Sequence, residues 1–494
     1  MSAAPGALRT FLGAVQAVVL AGALLTGSAN LWGQASQVSQ IAGTVEDSTG
    51  AVISGATVTI TNTGTGAARS ATSGADGNYI LTNLVAGQYR LQASKEGFAE
   101  YVLSKITINV STNPHINITL QVGGVTQQVE VTADASMVET HSNGVGQVID
   151  QDRVVDLPLN GRQVTQLVTL AGGATNFVPT NAGQSLISNK NYPTSVAFSV
   201  AGGQGGQTLF LLDGGNNMDV VSNIGLPMPF PDALQEFKVE TSSLPANYGN
   251  QPGGVVNVVT KSGSNAIHGN AFDFLRNYSA NARNFFAPQR DSLKRNQFGG
   301  TIGGPIIKNK LFFFAGYQGT RESVAPSANT TFTVTAAELG GDFSALATCN
   351  KVTLKAPFVN NQIAPGLFNP IALKVLKMIP VSSDPCGRVT YGIPSADHEN
   401  QFVGRGDWQV SGKESVFVRY FITDYQHPPY YQDNLLTLST DASAGLADRV
   451  NTVVMGDTYS INPTTVSSFR AGFSRQSIIR YAPDTVPTWT QLGS

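Results

Sequence analysis

The sequence predicts a mainly β chain in three parts: a β-sandwich, an α+β globule, and a run of antiparallel strands long enough to cross a membrane. Short β-branched runs recur between turn residues from Ser39 to Val122. Buried-strand candidates, Leu209 to Leu212 and Val255 to Val259, stand among turn-rich stretches in the middle of the chain. From Gly269 onward, segments of about ten residues alternate apolar and polar side chains, as strands do when one face meets lipid and the other a polar lumen.

Composition narrows the function before any motif does. The 494 residues carry 30 Lys plus Arg and 32 Asp plus Glu, a formal charge of -2. That balance lacks the basic excess needed to neutralise phosphates, so no nucleic-acid partner is expected. Charged residues make up 13% of the chain, against roughly 25% in ordinary soluble proteins. Mean hydropathy is -0.02, and past the first 35 residues no continuous apolar run approaches the ~18 residues of a spanning helix. A membrane form must therefore cross as strands. Five His and two Cys offer little for metal ligation. The HExxH, paired CxxC, GxxxxGK(S/T) and GxSxG patterns do not occur. No catalytic, cofactor-binding or metal-ligating residue is nominated, no cofactor is expected, and an enzyme is disfavoured.

Residues Met1 to Ala35 read as an export signal. Arg9 gives a positive start, Phe11 to Leu25 an apolar core, and Gly33 with Ala35 small residues at a cleavage site. In an exported chain, Cys349 and Cys386 are candidates for a disulfide across a separation of 37, or else remain unpaired.

The sandwich rests on Ile41 to Val45, Ala56 to Ile60, Asn78 to Leu81, Gln88 to Ala93, Ile106 to Val110 and Ile116 to Leu120. Tyr79 and Leu81 alternate toward one face, as do Tyr89, Leu91 and Ala93. Asp76-Gly-Asn78 supplies a tight turn. The strings Ile41-Ala-Gly-Thr-Val-Glu-Asp47, Thr72-Ser-Gly-Ala-Asp-Gly-Asn-Tyr79 and Lys95-Glu-Gly-Phe98 resemble a carboxypeptidase-regulatory-like domain. That resemblance implies a prealbumin-like sandwich of the carbohydrate-binding-like group over 39–122. It implies no peptidase activity, since His115 is the sole histidine inside it.

Val125 to Ala133 is an alternating strand that could add to another protein's sheet edge through its backbone. It also reads as the last strand of the sandwich or the first of the globule. Beyond it, Asp156-Leu-Pro-Leu-Asn-Gly-Arg162, Leu209-Phe-Leu-Leu-Asp-Gly-Gly-Asn-Asn217, Pro231 to Thr241 and Gly253 to Gly263 resemble, in order, the plug of Oar-like TonB-dependent receptors. The resemblance implies a plug over 125–263 and makes Val129, Glu130, Val131, Thr132 and Ala133 the candidate contact for TonB. Asp213-Gly-Gly215 is read as a turn. Arg162, Glu236, Lys238, Glu240 and Lys261 are candidates to seat the plug against charges on an inner barrel wall.

The strand pattern is clearest at Gln401 to Val410, with Phe402, Gly404, Gly406 and Trp408 on one face and Gln401, Val403, Arg405 and Asp407 on the other. Val416, Val418, Tyr420 and Ile422 form the next apolar stripe, opposed by Arg419 and Thr423. Phe312 to Phe314, Tyr317 and Tyr459 are expected in an interfacial aromatic girdle. His268 to Arg276, Asn296 to Gly300 and Gly340-Gly-Asp-Phe-Ser344 are similar to the first strands and long outer loop of the same receptors, implying a barrel over 266–494. About seven strands are countable, whereas receptors of this class close with roughly 22. The expectation is an incomplete barrel, and hence an incomplete chain.

The resemblance implies a cell outer membrane location, with the N-terminal domain in the periplasm and lipid around the barrel. It implies TonB as the periplasmic partner and import of an external ligand, whether oligosaccharide, peptide or chelate. Tyr391, His398, Tyr425, His427, Tyr430 and Tyr431 are loop candidates for ligand contact. The alternative is a surface adhesion or glycan-binding protein without transport.

Overall fold

The computed structural model describes residues 39–483, 488 and 490, apart from 111, 124–127, 133–144, 178–196, 220–222, 243, 245–247, 249–252, 284–289, 325–328, 431–434, 438–443 and 463–464. The export signal expected over Met1 to Ala35 lies outside the described residues, as do Ala133 and Tyr431.

Eight strands build the N-terminal sandwich: β1 (Ser39–Asp47), β2 (Thr57–Asn62), β3 (Ala68–Thr72), β4 (Asn78–Leu84), β5 (Gly87–Ser94), β6 (Glu100–Ile108), β7 (Ile118–Leu120) and β8 (Gln128–Thr132). They form one sheet in the order β4-β1-β7 and another in the order β3-β2-β5-β6-β8. Alternation along β1, β2 and β5 turns Ile41, Val45, Val58, Ile60, Tyr89 and Leu91 into one shared core. Tyr79 enters that core because its hydroxyl donates to the Ile116 carbonyl at 2.7 Å, leaving no buried polar atom unpaired. Gly77 turns the chain before β4 at φ 73°, a conformation that glycine reaches without strain.

The middle segment comprises β9 (Val145–Asp150), β10 (Ala174–Phe177), β11 (Ala197–Val200), β12 (Leu209–Leu212), β13 (Gly215–Asn216), β14 (Met218–Asp219), β15 (Ile224–Gly225), β16 (Leu234–Ser242) and β17 (Val255–Thr260). Its main sheet runs β13-β12-β17-β16-β9, with β12 parallel to β17 and the other pairs antiparallel. Every residue of β17 is buried, which explains why its sequence is a continuous apolar run interrupted only by Asn257. The Asp150 carboxylate accepts from Arg153 N at 2.9 Å and starts the helix Gln151–Asp156.

The third part contains β18 (His268–Asn277), β19 (Lys294–Ile307), β20 (Leu311–Val324), the two-stranded sheet of β21 (Asn329–Phe332) and β22 (Arg388–Tyr391), then β23 (Ser395–Gln409), β24 (Glu414–His427), β25 (Gly445–Asn462) and β26 (Thr465–Tyr481). Among the described residues, β18-β19-β20-β23-β24-β25-β26 form one seven-stranded antiparallel sheet. No helix among the described residues is long and apolar enough to cross a membrane. Phe402, Val418, Tyr420, Met455, Tyr459 and Phe473 stand exposed on the outer face, while Val403, Arg419, Phe421 and Val450 are buried on the inner one. One expectation is corrected here. Phe312 and Phe314 are buried on the inner face, and of that triplet only Phe313 alternates outward, because residues two apart share a face.

The connections at one end are short, with Lys308 to Lys310 joining β19 to β20 and Val410 to Lys413 joining β23 to β24. Those at the other end are long, notably 325–394, which carries the helices Ser344–Asn350 and Pro370–Leu376. The inner face of the sheet packs on the middle segment so closely that Phe314, Val403 and Phe421 belong to the same apolar core as Phe210, Phe230, Phe237 and Val258. The sandwich has its own separate core and lies at the short-turn end, where Asn265 N donates to Gly64 O at 2.8 Å.

Candidate functional site

The contact between the middle segment and the strand wall is organised by Asp213. Leu212 ends β12, and Asp213 takes φ 51°, so the chain turns and the carboxylate points along the strand end. Parallel pairing of Leu212 with Val258 brings it beside Thr260, whose backbone N–H donates to Oδ1 at 2.9 Å. Thr260 Oγ1 adds contacts at 3.1 and 3.0 Å.

On the wall, the register pairs Arg405 of β23 with Arg419 of β24. Two like charges directly opposite would repel. Asp213 lies against both: Arg405 Nη1 is 2.9 Å from Oδ1, and Arg419 Nε is 3.1 Å from Oδ2. Asp213 is fully buried, and the Arg419 side chain is 1% exposed. Arg405 also pairs with Asp407 at 2.9 Å. Arg419 donates to the Leu212 and Thr452 carbonyls, each at 3.3 Å. The two guanidiniums thus meet two carboxylates in a site where each remaining donor finds oxygen, the condition under which buried charge is tolerated.

A second clamp forms at Arg162. Its guanidinium pairs with the Asp232 carboxylate, and Nε donates to Gln318 of β20 at 3.1 Å. It stacks 4.5 Å from the Phe272 ring centroid and 4.2 Å from that of Phe274, both on β18. Burial lowers the Arg162 pKa and Asp232 opposes that shift. Asn270 of β18 donates to the other Asp232 oxygen. Nearby, Arg276 and Arg295 donate to Asn160 at 2.8 and 3.1 Å, and Gln297 to the Gly161 carbonyl at 3.0 Å.

The other expected seat residues lie elsewhere. Glu236 reaches the sandwich, each carboxylate oxygen accepting from Val110 N at 3.0 Å. Burial pushes its carboxyl up to about 7, against the lowering effects of the Val110 N–H and Lys238. Lys238 pairs with Glu240 at 2.9 Å within β16. Burial lowers the Lys261 pKa, while Asp232 and Asp152, both in the middle segment, raise it. The physical reason is position: β16 lies between β17 and β9, so its charges meet the sandwich or one another rather than the strand wall.

Val129 to Thr132 lie in β8, which pairs in parallel with Glu100 to Ser104 of β6 and forms the edge of the sandwich sheet. Cys349 and Cys386 are disulfide-bonded with Cα atoms 5.8 Å apart, tying the helix Ser344–Asn350 to the start of β22. Phe343 packs edge-on against Phe358 and Phe368 in the same loop, at centroid distances of 5.2 and 6.4 Å. Of the loop aromatics, His427 meets Asp397 at 2.6 Å. Tyr425 is buried two residues before it, and Tyr391 lies in the separate two-stranded β21–β22 sheet. No group of three or more His, Cys, Asp or Glu fit to hold a metal occurs among the described residues.

Sequence reading missed Asp213 as a charged anchor because Asp-Gly-Gly is also a turn former. The available signal was Arg419, an inward cation whose own strand carries its acids, Glu414 and Asp424, only at positions of the opposite face.

The carboxypeptidase regulatory-like domain family matches residues 40–121, and the outer membrane beta barrel domain family matches residues 259–492. The TonB-dependent transporter Oar of Myxococcus xanthus is 28% identical over 317 residues, covering 61% of this chain and 28% of that protein. The chain therefore spans less than a third of the length of that relative. Among solved structures, the siderophore receptor PirA from Acinetobacter baumannii aligns at 14% identity and a TM-score of 0.41, over 67% of this chain and 40% of that one. The outer membrane transporter YddB from Escherichia coli aligns at 11% identity and a TM-score of 0.37, over 67% and 38%. The chain is thus similar to the Oar TonB-dependent transporter over 61% of its length, and carries a carboxypeptidase regulatory-like domain and an outer membrane β-barrel domain, which places it at the outer membrane.

Proposed function

We propose that this chain is the plug-bearing part of a TonB-dependent receptor that admits an external ligand through its barrel. The observation that carries the reading is the Asp213 seat, where one plug carboxylate is held by two arginines of the barrel wall. A polar seat suits a plug that must move. Water entering behind a displaced plug can solvate Asp213, Arg405 and Arg419, whereas a purely apolar contact would gain nothing from wetting. Ligand binds from the long-loop end, which the disulfide-stapled segment 329–394 overhangs. TonB acts from the short-turn end, pairing with the free edge of β8 by backbone hydrogen bonds. In this reading 1–35 is the export signal, 39–122 a periplasmic sandwich, 125–263 the plug and 266–494 barrel.

The ligand class is an oligosaccharide, a peptide or an iron chelate. The test is uptake of a labelled panel of these three classes by cells expressing the protein, with and without TonB. The reading predicts that at least one member enters only when TonB is present. Entry of none, or entry independent of TonB, would remove it. Val131→Pro, which removes a backbone N–H from β8, is expected to reduce uptake at least tenfold with surface binding unchanged.

A further inference from the structure

The plug and the sandwich are attached in different ways. The plug shares an apolar core with the barrel wall through Phe314, Val403 and Phe421. The sandwich core contains no plug or barrel residue. Its hydrogen bonds across the junction include Val110 N with Glu236, Gly64 O with Asn265 N at 2.8 Å, Arg69 with Gln409 at 3.5 Å, and Asn83 with the Thr458 carbonyl at 3.5 Å. A cavity of about 90 Å³ separates the three parts, lined by Thr65, Val85 and Val110 of the sandwich, Gln235 and Val259 of the plug, and Phe417 of the wall. These contacts lie at the short-turn end, across the way out of the lumen.

We propose that the sandwich domain is a detachable lower cap on the barrel, which opens as a unit while the plug stays seated. Separating it leaves both apolar cores intact and replaces the hydrogen bonds across the junction with bonds to water, so its opening free energy lies below that of the plug or of the sandwich's own fold. The edge strand β8 belongs to this cap. A pull on β8 therefore acts on the cap before it reaches Asp213.

Hydrogen exchange of the full chain in membrane nanodiscs tests this without ligand or TonB, so it stands or falls separately from the transport reading. The Val110 and Asn265 amides, whose acceptors lie across the junction, are expected to exchange together and at least tenfold faster than the core amides of β5 and β17. A lock provides the second measurement. A Cβ placed at Gly64 would lie 3.7 Å from the Ser264 Cβ, within the roughly 3.5–4.5 Å that a disulfide requires. Cys349 and Cys386 are already bonded to each other and do not compete. Oxidised Gly64→Cys/Ser264→Cys is expected to slow Val110 exchange at least tenfold, and reductant to restore it. Val110 and Asn265 exchanging only as slowly as the core amides, or a lock that leaves Val110 unchanged, would overturn the proposal.

Discussion

Asp213 neutralises two arginines that strand register places side by side on the wall. Asp213→Asn keeps the shape but leaves a buried excess of positive charge, at a cost of roughly 3–5 kcal/mol. Exchange of the β17 amides in nanodiscs should accelerate accordingly, while the sandwich amides of β5 stay unchanged. Glu236 has the opposite character, since burial favours its neutral form and raises its pKa from 4.5 to about 7. The charged group that lowers its pKa is Lys238 on its own strand. Asp150, opposite on β9, caps the Gln151–Asp156 helix, Val259 opposes it from β17, and the sandwich presents the Val110 N–H. Because burial in the folded protein favours the protonated form, this contribution is fully present below about 4.5, is lost as pH rises, and levels off above about 7. Glu236→Gln retains an acceptor without a charge. It should remove that pH dependence and raise the Val110 protection factor above pH 7 by about tenfold or more.

At the scale of elements, alternation and turns made the strands legible. The inner and outer faces of β23 and β24 follow from residues such as Val403, Arg419, Phe402 and Val418, because lipid and lumen impose opposite polarity at a period of two. Phe312 and Phe314 escaped that logic, since an aromatic triplet reads equally as girdle or core until packing on the plug decides. The seat was legible in part: Arg162 was nominated and found against the wall, whereas Glu236, Lys238 and Glu240 depend on strand order, which a one-dimensional pattern does not contain. Two predictions belong to this scale. Phe473→Arg on the lipid face should cost about 2–4 kcal/mol if it lies near the bilayer centre, read as the denaturant midpoint for refolding into vesicles. Replacing Cys349 and Cys386 by Ala should free a loop that the disulfide restrains by about 3–4 kcal/mol. Limited proteolysis should then cut 329–394 faster, with β25 and β26 still protected.

For the whole molecule, three attachments of different strength lie in series. The disulfide fixes the outer loop, the apolar core and buried ion pairs hold the plug, and polar contacts hold the sandwich. Force applied at the short-turn end meets the weakest attachment first. In the proposed function TonB releases the plug from the Asp213 seat. Thr452, 1% exposed on the wall behind Arg419, reports this directly. Cells carrying Thr452→Cys would be exposed to a membrane-impermeant maleimide together with the ligand panel, with and without TonB. Labelling is expected only when TonB is present and the inner membrane is energised. Equal labelling in cells lacking TonB would contradict it.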